Sequence, residues 1–205
     1  MRELNRALTD ILEIRTHIAA GTAFRGYGPT AVAATGIIGF LAAAVQSRWP
    51  DVFAYSAAVF ITFWIATGVI CAITVWIEMQ GRSRRIHSYL ADAMISQALE
   101  QFLPATAASL LVPFFLLRFA PQSVWMMPGL WQLFVGLGIF ASIRSLPRKL
   151  MLGGIWFFVS AFLSLILASQ SQALSPWLMG LPFLGGQLLM AVLLFATEEA
   201  TSEEG

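Results

Sequence analysis

Charge is scarce in this sequence. Charged residues make up 11% of the 205 positions, against roughly 25% in a typical soluble domain. Hydrophobic residues make up 58%. A soluble fold of this length needs more polar surface than these residues provide, whereas lipid solvates an apolar exterior. The composition therefore predicts an integral membrane protein whose main partner is the lipid bilayer.

The residues that most reaction chemistry needs are also scarce. The single cysteine, Cys71, lies in an apolar run and has no partner for an internal disulfide,. His17 and His87 could meet if their helices pair, but no cysteine or nearby carboxylate completes a metal-binding set with them,. The net charge of +1 creates no strong field that would attract nucleic acid,. We expect no metal, no cofactor and no nucleic-acid partner.

The apolar runs predict an all-α fold, a polytopic bundle of about six transmembrane helices. Several runs lie near the lower length limit for crossing a bilayer, so their number supports the assignment more than any one of them does. The predicted membrane domain is 29–196, with spans at about 30–46, 52–77, 102–117, 125–143, 150–168 and 177–196. An acidic tail follows at 197–205, and we expect it to lack stable structure.

Two further segments predict amphipathic helices outside the hydrocarbon. Apolar residues recur every three or four positions within 1–28 and again within the link at 78–100, with polar residues between them,. The distribution of basic residues predicts on which side of the membrane both segments lie. Ten of the twelve lie in 1–28, in this link and in the short link after the fourth span. The positive-inside rule therefore places both amphipathic helices and both chain termini in the cytoplasm.

The predicted spans contain almost no ionisable side chains. Ion-coupled transporters generally place such groups at membrane depth, and no serine or threonine here has a histidine in the spans to activate it. We therefore expect neither an enzyme nor a pump. Gln132 and Gln187 are the largest polar side chains within spans. They could bond across the bundle or line a pocket.

Arginines dominate the predicted cytoplasmic side. Glu78 and Arg82 are four residues apart in the order that favours an ion pair on a helix,. A sharper interpretation is a contact for an anionic lipid or phosphate group, formed by Arg82 with Arg84, Arg85 and Arg148.

Two spacings concern packing and repetition. Ala31, Thr35, Gly39 and Ala43 recur every fourth residue, which predicts that another helix packs closely on the first span,. The three turns that join the predicted helical hairpins are similar, with sequences QSRWPD from position 46, QSVWMMP from 122 and QALSPW from 172. This similarity suggests a threefold hairpin duplication. Alternatively, these residues are simply common in short turns at the membrane interface.

Four short motifs carry a family resemblance. They are RGYGP at 25–29, QFLPA at 101–105, MPGLW at 127–131 and RSLPR at 144–148. With them the chain resembles a group of uncharacterised six-helix proteins of the bacterial inner membrane. The resemblance implies that setting for this chain and implies no chemistry.

Two functions remain open from the sequence. The first is a non-enzymatic binding, sensing or accessory protein, which would act with a membrane-protein partner or as a homo-oligomer. The second is a permease or facilitator for a small apolar or weakly polar solute, with a pathway near Gln132 and Gln187.

Overall fold

A computed structural model describes residues 28–50, 56–86, 89–142 and 148–203, and these residues form no β-strand. Side chains are described for the same residues except 82–86, 89–99, 148, 198 and 200–203. The six long helices are α1 (Pro29–Arg48), α2 (Ala57–Ile86), α3 (Tyr89–Phe119), α4 (Met127–Ala141), α5 (Met151–Ser171) and α6 (Trp177–Glu203). Short 3-10 helices at Pro121–Met126 and Arg148–Leu150 precede α4 and α5.

All six helical segments contain a stretch that is long and apolar enough to cross a membrane, if α4 is counted with the 3-10 helix before it,. For the described residues, this confirms the all-α fold class and the prediction of about six helices able to span a membrane. The fourth span reaches a membrane-crossing length only when the preceding 3-10 turn is included. Its α-helix has only 15 residues, but the stretch with the preceding turn, Pro121–Ala141, has 21.

The link at 78–100 is built differently from the separate helix that its pattern predicts. α2 continues to Ile86 and α3 begins at Tyr89, so the link mostly extends two membrane helices. The segment from 78 to 86 contains no proline, and nothing in it therefore forces the helix to end at the membrane surface,. The predicted amphipathic helix at 1–28 lies outside the described residues, apart from its last position.

The acidic tail also differs from the expectation that it lacks stable structure. α6 continues through most of it and ends at Glu203. Alanine and glutamate in this stretch are good helix formers. Thr197 is compatible with the helix because its hydroxyl donates to the carbonyl of Leu193 at 2.7 Å.

α1 and α6 form the most extensively packed pair in the bundle. The predicted stripe of small residues on α1 is buried, and Ala43 is fully inaccessible. A Cβ atom added to Gly39 would come within 2.6 Å of Phe183 on α6, and one added to Gly36 within 2.8 Å of the Gln187 Cβ atom. These glycines thus permit the close approach that the spacing predicts.

α4 and α5 form the second closely packed pair, and α5 also contacts α6. Glycines again set the separation: a Cβ atom on Gly136 would meet Phe158 at 2.6 Å. α2 packs mainly against α1, and α3 mainly against α4. Only 6% of the apolar stretch of α3 is buried. Its exposed side chains, such as Leu111 and Phe114, form a surface suited to lipid rather than water.

α1, α3 and α5 end, and α2, α4 and α6 begin, at one end of the bundle, which we call the turn end. A buried apolar cluster closes the bundle there, with side chains from α1, α2, α4 and α6 and from the 3-10 helix: Ala42, Ala43, Phe60, Ile61, Trp64, Val124, Met127 and Met179. A smaller cluster, formed by Val32, Leu150, Ala191 and Leu194, holds the opposite end together. The bundle core is therefore packed near both ends.

Candidate functional site

A cavity of about 690 Å³ opens at the turn end. All three hairpin turns line it, although they are far apart in sequence. Gln46, Gln122 and Gln172, the first residues of the three similar turn sequences, all lie in its wall. The floor includes Phe60 and Val124, which belong to the apolar cluster beneath. The similarity of the turns thus coincides with a shared location.

The cavity combines amide groups with aromatic surfaces. Trp125 and Trp177 contribute indole rings to the lining, and Trp177 also packs against Phe40 on α1 with ring centroids 5.7 Å apart. None of the described residues in the lining carries a formal charge. The described lining can therefore hydrogen-bond and stack against an uncharged molecule.

Gln46 is the most buried polar group of the lining, with 3% of its surface exposed. Its Oε1 atom accepts a hydrogen bond from Trp64 Nε1 at 2.7 Å. An indole N–H can only donate, and this contact therefore identifies the Gln46 oxygen and orients the amide. The Nε2 atom on the other side is buried and has no hydrogen-bond partner. An unsatisfied buried donor costs about 1–3 kcal/mol.

Gln172 occupies an unusual backbone position at the rim. It follows α5 directly with φ 50° and ψ 28°, in the left-handed region. It is the only described residue other than glycine with positive φ. Glycine or asparagine usually occupies this place after a helix, and a larger side chain is held there at some conformational cost. Its N–H donates to the Ala168 carbonyl at 2.7 Å, which ends the helix.

Gln132 lies beneath the cavity and does not line it. It is 2% exposed, and its Nε2 atom donates to the carbonyl of Leu178 on α6 at 2.7 Å. The Leu178 carbonyl would normally accept from the N–H four residues later, but that residue is Pro182, which has none,. Gln132 therefore replaces the backbone hydrogen bond that Pro182 removes from α6.

Two further acceptors surround the same nitrogen. They are the Pro128 carbonyl on α4 at 3.0 Å and Ser164 Oγ on α5 at 3.1 Å. Gln132 thus joins α4, α5 and α6. Of the two uses that the sequence left open for Gln132, the structure shows the bond across the bundle. Its Oε1 atom is buried without a partner.

Trp131, the neighbour of Gln132 on α4, compensates for a second proline, which lies on α3. Its Nε1 atom donates to the Ser109 carbonyl on α3 at 2.9 Å. Pro113, four residues after Ser109, provides no N–H for this carbonyl,. Two adjacent residues of α4 therefore satisfy carbonyls that prolines leave free on two different helices, as is required where no water is present.

Gln187 lies on a different part of α6. It is half-buried, and its Cβ atom packs toward Gly36 on α1. Nine residues separate it from Leu178, the α6 residue that Gln132 contacts, which corresponds to roughly 13 Å along a helix. The two glutamines are thus not brought together into one polar pathway.

The predicted cytoplasmic residues are described only in part. Glu78 is half-buried on α2, and Arg82, Arg84 and Arg85 follow on the same helix. Arg148 begins the 3-10 helix before α5. Because these arginine side chains lie outside the described residues, the Glu78–Arg82 ion pair and the anion contact stay predictions. His17 and His87 also lie outside the described residues.

Cys71 lies on α2 and is buried against α1, with Sγ 3.7 Å from the Thr35 carbonyl. Among the described residues, no group of three or more His, Cys, Asp and Glu side chains could hold a metal ion.

Sequence reasoning did not predict the hydrogen-bonding roles of Gln46 and Trp131 or the effect of Pro182. Gln46 appeared only as the first residue of a repeated turn. A detectable signal was nevertheless present, since each internal proline implies a free carbonyl four residues earlier. Comparison with known proteins adds nothing to this geometry: no protein-family model, curated protein or solved structure matches the chain.

Proposed function

We propose that this chain is a multi-pass, non-enzymatic binding protein that holds a small uncharged molecule at the turn end. The observation that supports this most directly is the cavity in which all three hairpin turns meet, with its lining of amides and indoles. The space is only partly enclosed, and its volume of about 690 Å³ leaves room for a small molecule. Among its described lining residues, only Ser47 carries a hydroxyl, which donates to the Ala44 carbonyl at 2.9 Å, and none carries an acid or base that could activate it,.

The binding event would act as a sensing or accessory step in a larger membrane assembly. In this proposal the chain lies in a bacterial inner membrane with both termini in the cytoplasm, so that the turn end faces the exterior. The distribution of basic residues supports this orientation,. The cytoplasmic segments at 1–28 and 78–100, with Arg82, Arg84, Arg85 and Arg148, would contact anionic lipid headgroups or a membrane-protein partner. A second copy of the chain is the other partner we consider.

A permease or facilitator for a small apolar or weakly polar solute is the second candidate. The unpartnered Oε1 atom of Gln132 favours it, since a passing solute could donate to this oxygen. Its Nε2 atom, however, is held by three acceptors on three helices. The glycine contacts of α1 also leave no space between α1 and α6 beside Gln187. We therefore rank this function below binding.

Native mass spectrometry on protein extracted with its own lipid patch tests the proposal. We expect a non-covalent species in stoichiometric amount on the unmodified protein. Ala173 is exposed and lines the cavity, and Ala173→Trp should displace the species by filling the space. Ala196→Trp, at an exposed position of α6 outside the cavity lining, is the matched control and should retain it. Retention by both variants would refute a turn-end binding site.

Vesicle uptake of the species found in this way separates the two candidates. A binding protein holds an amount that saturates at the protein concentration. A facilitator instead equilibrates the species across the membrane, to an amount set by the internal volume. Equilibration that depends on the protein would replace the first proposal by the second.

A further inference from the structure

The buried amide of Gln46 suggests what the cavity binds. Three observations coincide at this residue. It lines the cavity, it is almost completely buried, and its Nε2 atom has no partner. The bond from Trp64 to Oε1 prevents the amide from turning over to relieve the problem, because the flipped amide would place a donor against a donor.

We propose that Gln46 Nε2 is the specificity-determining donor of the cavity and that its ligand is an uncharged molecule with a carbonyl oxygen and an apolar, preferably planar, body. This inference rests on the binding function proposed above and specifies its ligand. The carbonyl accepts from Nε2, and the apolar body lies against Phe60 and the indoles of Trp125 and Trp177. Since Nε2 lies beneath the cavity surface, the carbonyl reaches it through a local shift of the wall.

The charge and the position of the cavity favour this class over others. A carboxylate or phosphate ligand would find no cationic partner in the described lining, and its desolvation would be poorly compensated. A cation would find no carboxylate there. A neutral carbonyl needs a single donor at depth, and the amides at the rim, Gln122 and Gln172, can accommodate additional polar groups of the same molecule.

Two sources can supply such a carbonyl. One is the ester group of an uncharged membrane lipid such as a diacylglycerol, because the turn end of a six-span bundle lies at the level of the interface. The other is a free neutral solute. The chemistry recognised by Gln46 is the same for both.

The test compares Gln46→Met with Trp64→Phe in the full chain. Both variants remove the bond between the two side chains. Trp64→Phe also removes buried indole volume and lets the Gln46 amide rotate,. Only Gln46→Met removes the Nε2 donor. We expect Gln46→Met to weaken ligand retention on the order of tenfold, the effect of about one hydrogen bond to a buried group. We expect Trp64→Phe to bind within about threefold of the unmodified protein.

The readout has two arms that separate the sources. Native mass spectra of the lipid-patch preparation detect a free solute as a non-lipid adduct. In the second arm, delipidated protein is titrated with a diacylglycerol and with the dialkylglycerol ether of equal chain length, which has no carbonyl. An adduct lost in Gln46→Met, or an ester preference that disappears in this variant, supports the proposal.

Three results would overturn it. They are equal binding of ester and ether lipid with no solute adduct, an adduct that Gln46→Met retains fully, and an equal loss in both variants. The Ala173→Trp result distinguishes this failure from failure of the binding function itself. A species displaced by Ala173→Trp and unaffected by Gln46→Met refutes only the role of Gln46.

Discussion

The hydrogen bond from Gln132 to Leu178 predicts that Gln132 and Pro182 are energetically coupled. Gln132→Met keeps the length of the side chain and most of its volume, so that little cavity cost is expected. It leaves the Leu178 carbonyl with only the more distant Ser164 hydroxyl, at 3.4 Å. Pro182→Ala restores the backbone N–H that this carbonyl lacks. The side-chain donor should then become largely dispensable.

The magnitude can be bounded from the contacts. An unsatisfied buried carbonyl costs about 1–3 kcal/mol, and hydrogen bonds between membrane helices measured by double-mutant cycles contribute about 0.6 kcal/mol on average, with a maximum near 1.7. Gln132→Met also removes the unpartnered Oε1 atom, which offsets part of the loss. We therefore expect destabilisation of about 1 kcal/mol in the natural background, and less than about half of that in the Pro182→Ala background.

Reversible unfolding in mixed detergent micelles, followed by helical circular dichroism, measures both values. Gln187→Met is the matched control. Gln187 lies on α6, as Leu178 and Pro182 do, but it is nine residues from Leu178. Its effect should be the same in both backgrounds. Equal destabilisation by Gln132→Met with and without Pro182 would refute the argument that this glutamine replaces a missing backbone bond.

Three further predictions concern packing and backbone. Trp131→Phe should lower the free energy of unfolding by about 1 kcal/mol, and by less in a Pro113→Ala background, measured in the same unfolding assay. Equal destabilisation in both backgrounds would contradict the inference that Trp131 compensates for Pro113. Gly36→Ala should destabilise the α1–α6 pair by about 1–3 kcal/mol, while Gly68→Ala, with no atom near its added Cβ, should be neutral or stabilising. Gln172→Gly should raise the unfolding free energy by up to about 1 kcal/mol, because glycine adopts the left-handed conformation without steric cost; a decrease would show that the Gln172 side chain contributes more to the fold than its backbone strain removes.

The spans were predictable because hydropathy averages over many residues. No single side chain in a run such as 150–168 decides whether it is helical and apolar. The ends of the helices were less predictable. The apolar pattern stops at the membrane surface, but a helix continues until a breaker or a competing contact ends it. This explains why α2 extends to Ile86 and α6 to Glu203.

The packing of α1 was predictable for a local reason. The spacing of Ala31, Thr35, Gly39 and Ala43 defines one face of one helix, and such a face needs a close neighbour wherever that neighbour comes from. Its identity as α6 depends on the whole topology and could not be derived from the stripe. Likewise, the free carbonyls at Ser109 and Leu178 follow from the sequence, whereas their donors, Trp131 and Gln132, follow only from the arrangement of helices.

The candidate site was the least accessible to sequence reasoning. The similar turns at 46, 122 and 172 were visible, but their convergence requires that α1, α3 and α5 all end at the same side. Burial decides the rest: of the three glutamines, only Gln46 lies inside the bundle and is left with an unpartnered nitrogen. The polar residues that the sequence favoured, Gln132 and Gln187, lie at other depths.

Cysteine labelling in intact cells would determine whether the cavity formed by the three turns faces the exterior, as proposed for this six-span protein. The experiment uses a Cys71→Ala background with Ala173→Cys in the cavity wall, and a separate variant with Gly205→Cys at the C-terminus. We expect a membrane-impermeant maleimide to label Ala173→Cys in intact cells and to label Gly205→Cys only after permeabilisation. Labelling in the reverse pattern would contradict this orientation.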